Sequence, residues 1–304
     1  MRGSLKRLAE GLLVNLLPLS RPAARLRGRA LVLALHNVVS DPASAGLDAS
    51  LHLSLESLSR LLDALDGSHR FVALEQILGG IGESSERLPV AVTFDDAYRG
   101  ALRNALPLLA RRGIPVTIFA VPGRLGHPGM WWDTLRDPGG SPLSASQRER
   151  ALEEGRGAEE AVRRLAARSG WQSVLASSDV GFASLDELRA SCAVSGVTIA
   201  SHTWSHPNLT RLSDPELQEE LVRSAEWLRA EAGAAWRPWL AYPYGLTDAR
   251  VVAAARAAGY TAAFRVAGGW TRRPPEDPLD APRLNVPAGL TPNGIRLRGA
   301  GLFC

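Results

Sequence analysis

Short apolar runs alternate along this chain with longer segments in which leucine recurs at helical spacing. The leucines between Leu55 and Leu65 fall on one face of a predicted helix. A second predicted helix begins at Tyr98 and ends at Gly113. Strands that alternate with helices are typical of a mostly parallel sheet with crossover helices. The pattern predicts an α/β fold, a deformed (β/α) barrel of about seven parallel strands. The strands are expected near residues 30–35, 88–94, 115–121, 196–200, 238–242, 260–266 and 283–286.

Later segments complete this outline of one main domain over residues 30–304. Ser213 and Glu216 have the spacing of a capping box, and Thr247 is expected to cap a helix that Gly259 closes. Residues from about 127 to 185 break the rhythm with Pro, Gly and Ser and with an Arg/Glu-rich helical piece. That stretch predicts an insertion over the barrel mouth.

Residues 1–29 are expected to form a separate amphipathic segment, because leucine recurs there at helical spacing between charged residues. The apolar stretch over 11–19 is shorter than the roughly 20 residues that span a membrane. A helix packed on the domain is one interpretation, and a peripheral membrane contact through residues 4–19 is another. Residues 21–25 make a poor signal-peptide cleavage site, so the sequence favours a cytoplasmic, possibly membrane-associated protein over an exported one.

Composition excludes several classes of function. Lys6 is the only lysine, so the net charge of +4 comes from arginine, and a P-loop is impossible. Arginine is not interleaved with aromatic residues as in a single-strand groove, so no nucleic acid is expected as a partner. Cys192 and Cys304 give no disulfide framework, and neither is a plausible zinc ligand.

Four apolar runs each end in reactive side chains: His36, the pair Asp95-Asp96, His202, and the turn Tyr242-Pro243-Tyr244-Gly245. In α/β barrels the carboxyl ends of the strands build the active site. The sequence therefore predicts that these side chains meet at one mouth of the barrel.

His202 and His206 are four residues apart and can aim their rings at one point. Imidazole nitrogen and a carboxylate oxygen from the Asp95-Asp96 pair suit a borderline divalent cation, and three protein ligands leave a coordination position open. The alternative is two surface histidines on a helix. The remaining histidines, at 52, 69 and 127, are expected on the surface or in loops.

Three motifs resemble those of the polysaccharide deacetylases, the NodB-homology domain of carbohydrate esterase family 4, over roughly residues 30–290. They are Thr93-Phe94-Asp95-Asp96, Ser201-His202-Thr203-Trp204-Ser205-His206-Pro207 and Tyr242-Pro243-Tyr244-Gly245. The resemblance implies a NodB-like barrel in which Asp95 is the general base. It also implies that Asp96, His202 and His206 bind a divalent metal, zinc or else cobalt or nickel. The backbone N–H of Tyr244 would stabilise the oxyanion.

Two positions depart from the family pattern. No histidine follows His206, so the acid that the family places near its C-terminus must come from elsewhere. Leu33-Ala34-Leu35-His36 has the family's Leu-x-Leu-His pattern at the N-terminal side, which is similar to the permuted poly-N-acetylglucosamine deacetylases and implies His36 as the acid. Ala241 stands where the family has an arginine that orients the base, and Arg283 is the candidate replacement.

The sequence thus predicts a metal-dependent hydrolase that removes an acetyl group, N-acetyl in preference to O-acetyl, from a sugar in a polysaccharide or glycoconjugate precursor. Aromatic rings stack on the apolar faces of sugars, which makes Trp204, Trp132 and Tyr242 the candidate substrate contacts. Trp131 and Trp132 could equally fill core, and Asp133 is a candidate lid residue.

Two alternatives use other chemistry. Two histidines and one carboxylate also serve non-haem iron oxygenases, whose fold would show many antiparallel strands. A catalytically silent carbohydrate-binding domain is the other alternative, and Ala241 favours it.

Overall fold

A computed structural model of the chain describes residues 10–14, 26–40, 50–79, 87–176 and 178–302. Most of the predicted segment 1–29, as well as Cys304, lies outside these ranges. The strands are β1 Arg29–Leu35, β2 Asn37–Val39, β3 His52–Ser54, β4 His69–Phe71, β5 Leu88–Asp96, β6 Val116–Ala120, β7 Leu135–Arg136, β8 Gln172–Ser173, β9 Val197–Ser201, β10 Trp236–Ala241, β11 Ala262–Arg265, β12 Trp270–Arg272, β13 Ala281–Pro282 and β14 Leu284–Asn285. The helices are α1 Leu55–Asp66, α2 Leu74–Leu78, α3 Leu106–Arg111, α4 Trp131–Thr134, α5 Ala145–Glu153, α6 Glu159–Ser169, α7 Leu185–Cys192, α8 Asp214–Ala232, α9 Ala249–Ala257 and α10 Pro292–Gly299.

The central sheet runs β1-β5-β6-β9-β10-β11-β13, and β14 then pairs with β1. All of these pairings are parallel. Because β13 and β14 are two halves of one strand position, the described residues form a barrel of seven positions that closes on itself. This confirms the predicted (β/α) barrel of about seven parallel strands and is at odds with the antiparallel fold of the oxygenase alternative.

The period of two along each strand separates two hydrophobic layers. Ala30, Val32, Ala91, Phe119 and Ala241 belong to a cluster of small and aromatic side chains inside the barrel. The alternate residues of the same strands belong to the larger cluster that packs against the surrounding helices. Burial on both faces explains why these strands are almost continuously apolar in sequence.

Helices surround the barrel, and their ends follow local signals with some differences from the sequence predictions. The long helix α8 begins after Ser213, whose capping box with Glu216 is present. Asp248, rather than the expected Thr247, caps α9, because its carboxylate accepts from the Val251 N–H. The helix expected from Tyr98 to Arg112 begins instead with a π-helical turn, Ala101–Ala105, before α3.

The segment between β6 and β9 carries α4, α5 and α6 and has a small hydrophobic cluster of its own, which includes Met130, Trp131 and Trp132. The Arg/Glu-rich helical piece predicted within this segment is broken in two, with α5 and α6 joined by a turn at Arg156 and Gly157, both at positive φ. The Gly157 carbonyl accepts from the Tyr244 hydroxyl at 2.9 Å, and the Arg156 carbonyl accepts from the Asn208 N–H at 2.8 Å. These bonds fix the segment to the barrel mouth.

Residues 10–14 are helical. The Glu10 carboxylate accepts from the Thr291 hydroxyl at 2.5 Å, which joins this turn to the start of α10. Among the described residues, none of the helices has the length and apolar character needed to cross a membrane.

Candidate active site

A cavity of about 340 Å³ lies at the carboxyl ends of the barrel strands. This volume is within the range of small-molecule sites. A larger cavity of about 520 Å³, between α1 and α10, contains none of the candidate residues. The lining of the smaller cavity includes His36, Asp95, Asp96, His202, His206, Tyr242, Tyr244 and Asn285 from the barrel, and Trp131, Trp132, Arg148 and Leu152 from the segment between β6 and β9.

Strand register explains why distant sequence motifs meet here. Leu35 of β1 pairs with Phe94 of β5, so the next residues, His36 just after β1 and Asp95 within β5, lie at the same level. Asp96 pairs with Ala120 of β6, and Ala120 pairs with Ser201 of β9, which places His202 one strand further. The prediction that these polar strand ends share one mouth is confirmed.

Asp96, His202 and His206 form a buried cluster that could hold a metal ion. The two Nε2 atoms of the histidines are 3.1 Å apart, and they lie 3.7 and 3.5 Å from Asp96 Oδ1. Ligands about 2.0–2.1 Å from a tetrahedral zinc ion would be about 3.3 Å apart. The three atoms therefore have the mutual spacing of three ligands on one cation.

The hydrogen bonds of the cluster also fit a cation. His202 Nδ1 lies 2.7 Å from the Ala241 carbonyl, which only accepts, so Nδ1 carries the proton and Nε2 keeps its lone pair. Asp96 Oδ1 is buried and has no hydrogen-bond partner among the described residues. Burial, and then the negative charges of Asp95 and Asp133, raise the pKa of Asp96 well above its usual value. Burial lowers the pKa of His202 and His206. A cation between the three groups would offset these effects.

The backbone at the cluster is unusual for residues with side chains. Asp96, Thr203 and His206 have φ values of 71°, 66° and 66°, in the left-handed region. Such conformations cost energy and concentrate at functional sites. Local bonds hold two of them, since the Thr203 hydroxyl accepts from the His206 N–H at 3.1 Å and Ser201 Oγ accepts from the Thr203 N–H at 3.1 Å.

Asp95 makes a different contact from its neighbour Asp96. Its two oxygens each accept from Arg283 at 2.7 Å, and both side chains are almost completely buried. Burial alone would raise the pKa of Asp95, but the charge of Arg283, aided by His202 and the hydrogen bonds, lowers it far below its usual value. Arg283 also donates to Thr93 Oγ1 at 3.0 Å. An arginine, which position 241 does not supply, thus reaches Asp95 from the split strand β13–β14.

His36 lies half-buried at the cavity wall. Its pKa is lowered to about 4, chiefly by burial, while the negative charge of Asp95 opposes that shift and the charges of His202 and Arg283 add to it. The imidazole is therefore neutral near pH 7 before a substrate is bound.

The turn after β10 brings two tyrosines to the cavity. Tyr244 has φ 60° and ψ 5°, and its ring packs edge-on against His206 with the ring centroids 4.6 Å apart. Tyr242 also lines the cavity, but it is fully buried and its hydroxyl donates to the Leu279 carbonyl at 2.7 Å.

Trp204 lies outside the cavity, contrary to the expectation for a substrate contact. Its ring packs instead against the Arg223 guanidinium, which lies 3.9 Å from the ring centroid. Trp132 does line the cavity, with its ring centroid 5.0 Å from that of His206, and Trp131 lines it as well.

The expectation of surface histidines is wrong for two of the three. His52 and His69 are each 2% exposed, whereas His127 is exposed in a loop. His52 Nε2 lies 3.1 Å from Asp133 Oδ1, and Asp133 is fully buried, so it is not a mobile lid residue. The partners are 81 residues apart in sequence, which leaves no local signal for their burial.

Fold and site together define a closed (β/α) barrel with an Asp/His/His cluster at the carboxyl ends of its strands. A family model described as polysaccharide deacetylase matches residues 82–263, more than half of the chain. The chain therefore belongs to the polysaccharide deacetylase family, as the sequence motifs implied. No curated protein matches it.

Solved structures of deacetylases share the fold. The deacetylase PplD of Streptococcus pyogenes, in complex with acetate, is 16% identical with a TM-score of 0.61, covering 90% of this chain and 97% of that one. IcaB from Ammonifex degensii is 20% identical with a TM-score of 0.61, covering 89% and 95%. A de-N-acetylase from Aggregatibacter actinomycetemcomitans is 20% identical with a TM-score of 0.58, covering 84% and 94%.

Proposed function

We propose that this protein is a metal-dependent hydrolase that removes N-acetyl groups from a sugar in a polysaccharide or glycoconjugate precursor. One observation carries the proposal. The three candidate ligand atoms lie close together, and one of them, Asp96 Oδ1, is buried without a hydrogen-bond partner among the described residues. The Asp95–Arg283 pair and His36 lie beside them at the same cavity. Family membership and the named activity of the similar deacetylases support it.

Asp96, His202 and His206 would hold the metal. When bound, a divalent ion such as zinc lowers the pKa of water and polarises a carbonyl oxygen. The protein provides the geometry for this, because Ala241 fixes the tautomer of His202 and the Thr203 and Ser201 hydroxyls hold the ligand loop.

Asp95 is suited to accept the proton of the attacking water. One of its oxygens lies 3.9 Å from His202 Nε2, so the carboxylate adjoins the ligands without belonging to them. The contact with Arg283 keeps it ionised and fixes both oxygens, each of which retains a second lone pair. A base held in one geometry needs no reorganisation when the proton moves.

His36 is the candidate donor to the leaving amine. It follows the strand next to Asp95 and lines the same cavity, so acid and base lie on neighbouring strands. Because its pKa is lowered to about 4, His36 is neutral at pH 7, so it would first receive the proton that Asp95 takes from the water and then donate it to the amine. The backbone N–H of Tyr244, in its left-handed turn, is the candidate oxyanion donor, a contact whose removal elsewhere costs about 3–4 kcal/mol.

Acetate release from chitin oligomers tests the proposal, with a panel of acetylated monosaccharides and lipid-linked sugars beside it. We expect release by the zinc-loaded enzyme, loss of release with a chelator, and its return with zinc. Sugar binding without acetate release would favour the silent carbohydrate-binding domain instead. Oxygen consumption with iron would favour an oxygenase.

A further inference from the structure

A buried chain of polar side chains lies behind the cavity, outside the groups used so far. It begins at Asn37, beside the candidate acid His36, and ends at Trp132, which lines the cavity. Its intermediate members are His52, Asp133 and Tyr98, which are at most 2% exposed. The elements that supply them are β2, β3, the turn after β5, and α4.

The direction of the hydrogen bonds is fixed at the first end of the chain. The Asn37 amide nitrogen donates to the Asp179 carbonyl at 2.8 Å, and its oxygen accepts from the Val38 N–H at 2.8 Å. The same amide nitrogen lies 3.1 Å from His52 Nδ1, which must therefore accept. His52 consequently carries its proton on Nε2, the nitrogen that faces Asp133.

Asp133 collects three donors. Its Oδ1 accepts from His52 Nε2 at 3.1 Å, and its Oδ2 accepts from the Tyr98 hydroxyl at 2.8 Å and from the Met130 N–H at 3.1 Å. The Tyr98 oxygen in turn accepts from Trp132 Nε1–H at 2.8 Å. Every bond has one possible direction, and the buried carboxylate is satisfied without a cation of its own.

The last member of the chain meets the candidate site. The Trp132 ring lies 5.0 Å from His206 and 5.8 Å from Tyr244 between ring centroids. Phe182 stacks on the Tyr98 ring at 5.3 Å, which holds the hydroxyl that anchors the indole. The indole cannot rotate without leaving its buried N–H unpaired, an arrangement that costs free energy.

We propose that Tyr98, Asp133 and His52 are positioning residues that fix the indole of Trp132 as a wall of the substrate cavity and so set the affinity for the acetylated sugar. This inference rests on the proposed deacetylase function. None of the three residues lines the cavity, so they act through Trp132.

A double-mutant cycle tests the inference, because two residues that act through one another are not additive. The variants are Tyr98→Phe, Trp132→Phe and both together. Each is assayed for kcat and KM with chitin oligomers and for zinc content, and its folding is checked by urea unfolding. Trp270→Phe is the matched control, since that buried indole donates to the Arg298 carbonyl at 3.0 Å and does not line the cavity.

We expect each single variant to lose about tenfold in kcat/KM, mainly through KM, with its zinc content unchanged. The double variant should match Trp132→Phe alone, and Trp270→Phe should retain wild-type kcat/KM. Asp133→Asn should likewise have no further effect once Trp132 is replaced.

Losses that multiply in the double variant, or a Tyr98→Phe enzyme as active as wild type, would overturn the inference. A wild-type protein that is inactive on every acetylated sugar would overturn the proposed function. In that event the dissociation constant for chitin oligomers is measured for the same variants. Its change in the double variant, compared with the changes in the single variants, then decides the inference.

Discussion

Replacing Arg283 with methionine removes the one side chain that, among the described residues, donates to both oxygens of Asp95. Asp95 is 1% exposed and Arg283 is 0% exposed, so the pair is shielded from bulk solvent. Breaking a buried ion pair by removing one partner costs about 3–5 kcal/mol, because the other charge stays buried and uncompensated. We expect Arg283→Met to lose that much unfolding free energy in urea.

The same variant should lose at least about a hundredfold in kcat, since a base displaced by about 1 Å can lose that much. Its zinc content should stay near that of wild type, because Arg283 contacts neither histidine of the cluster in its hydrogen bonds. Arg283→Lys is the matched variant, which keeps the charge but not the two parallel bonds, and we expect intermediate activity.

The double variant Asp95→Leu with Arg283→Met separates the electrostatic argument from simple loss of packing. Replacing both members of a buried pair is often neutral, so this variant should recover most of the lost stability while remaining inactive. A loss below about 1 kcal/mol in Arg283→Met, or a double variant as unstable as the two single losses summed, would refute the reasoning.

Three further predictions follow from the site and the core. Asp96→Ala should lose zinc and acetate release together, whereas Asp95→Asn should keep zinc in metal analysis and lose turnover; an active Asp95→Asn enzyme would remove that residue from the mechanism. Burial lowers the pKa of His69 from 6.5 to about 4, so the unfolded chain takes up the proton first and stability falls as pH drops from 6.5 towards 4. Between about pH 7.5 and 5 the wild-type protein should lose about 2 kcal/mol of unfolding free energy from this group, measured in urea. The loss in the His69→Gln variant over the same range should be smaller by that amount. Gly100→Ala places a Cβ 2.4 Å from the Val38 carbonyl oxygen and should destabilise the fold by about 1–3 kcal/mol. An unchanged unfolding free energy in urea would contradict this prediction.

The barrel could be predicted from sequence because parallel strands buried on both faces leave nearly continuous apolar runs. The polar residues that end those runs therefore lie together at the carboxyl ends of the barrel strands. His36 and Asp95 come together there because Leu35 pairs with Phe94. The alternation of side chains along a strand could also have predicted the direction of the Arg283 side chain. Ala281 points into the barrel, so Arg283, two residues later, shares its side of the strand.

Other contacts carry no local signal. Trp204 stands between two candidate ligands in sequence, yet Arg223 of α8 covers its ring. His52 and Asp133 are buried as hydrogen-bond partners that come from two separate segments. Such pairs depend on tertiary packing, which neither periodicity nor spacing encodes.

Zinc titration of the metal-free protein, followed in the same samples by acetate release from an acetylated sugar, tests the central claim most directly. We predict one zinc ion per chain, with acetate release rising in proportion to bound zinc and both lost in Asp96→Ala. Zinc binding unaffected by that substitution, or acetate release that persists without metal, would contradict the account.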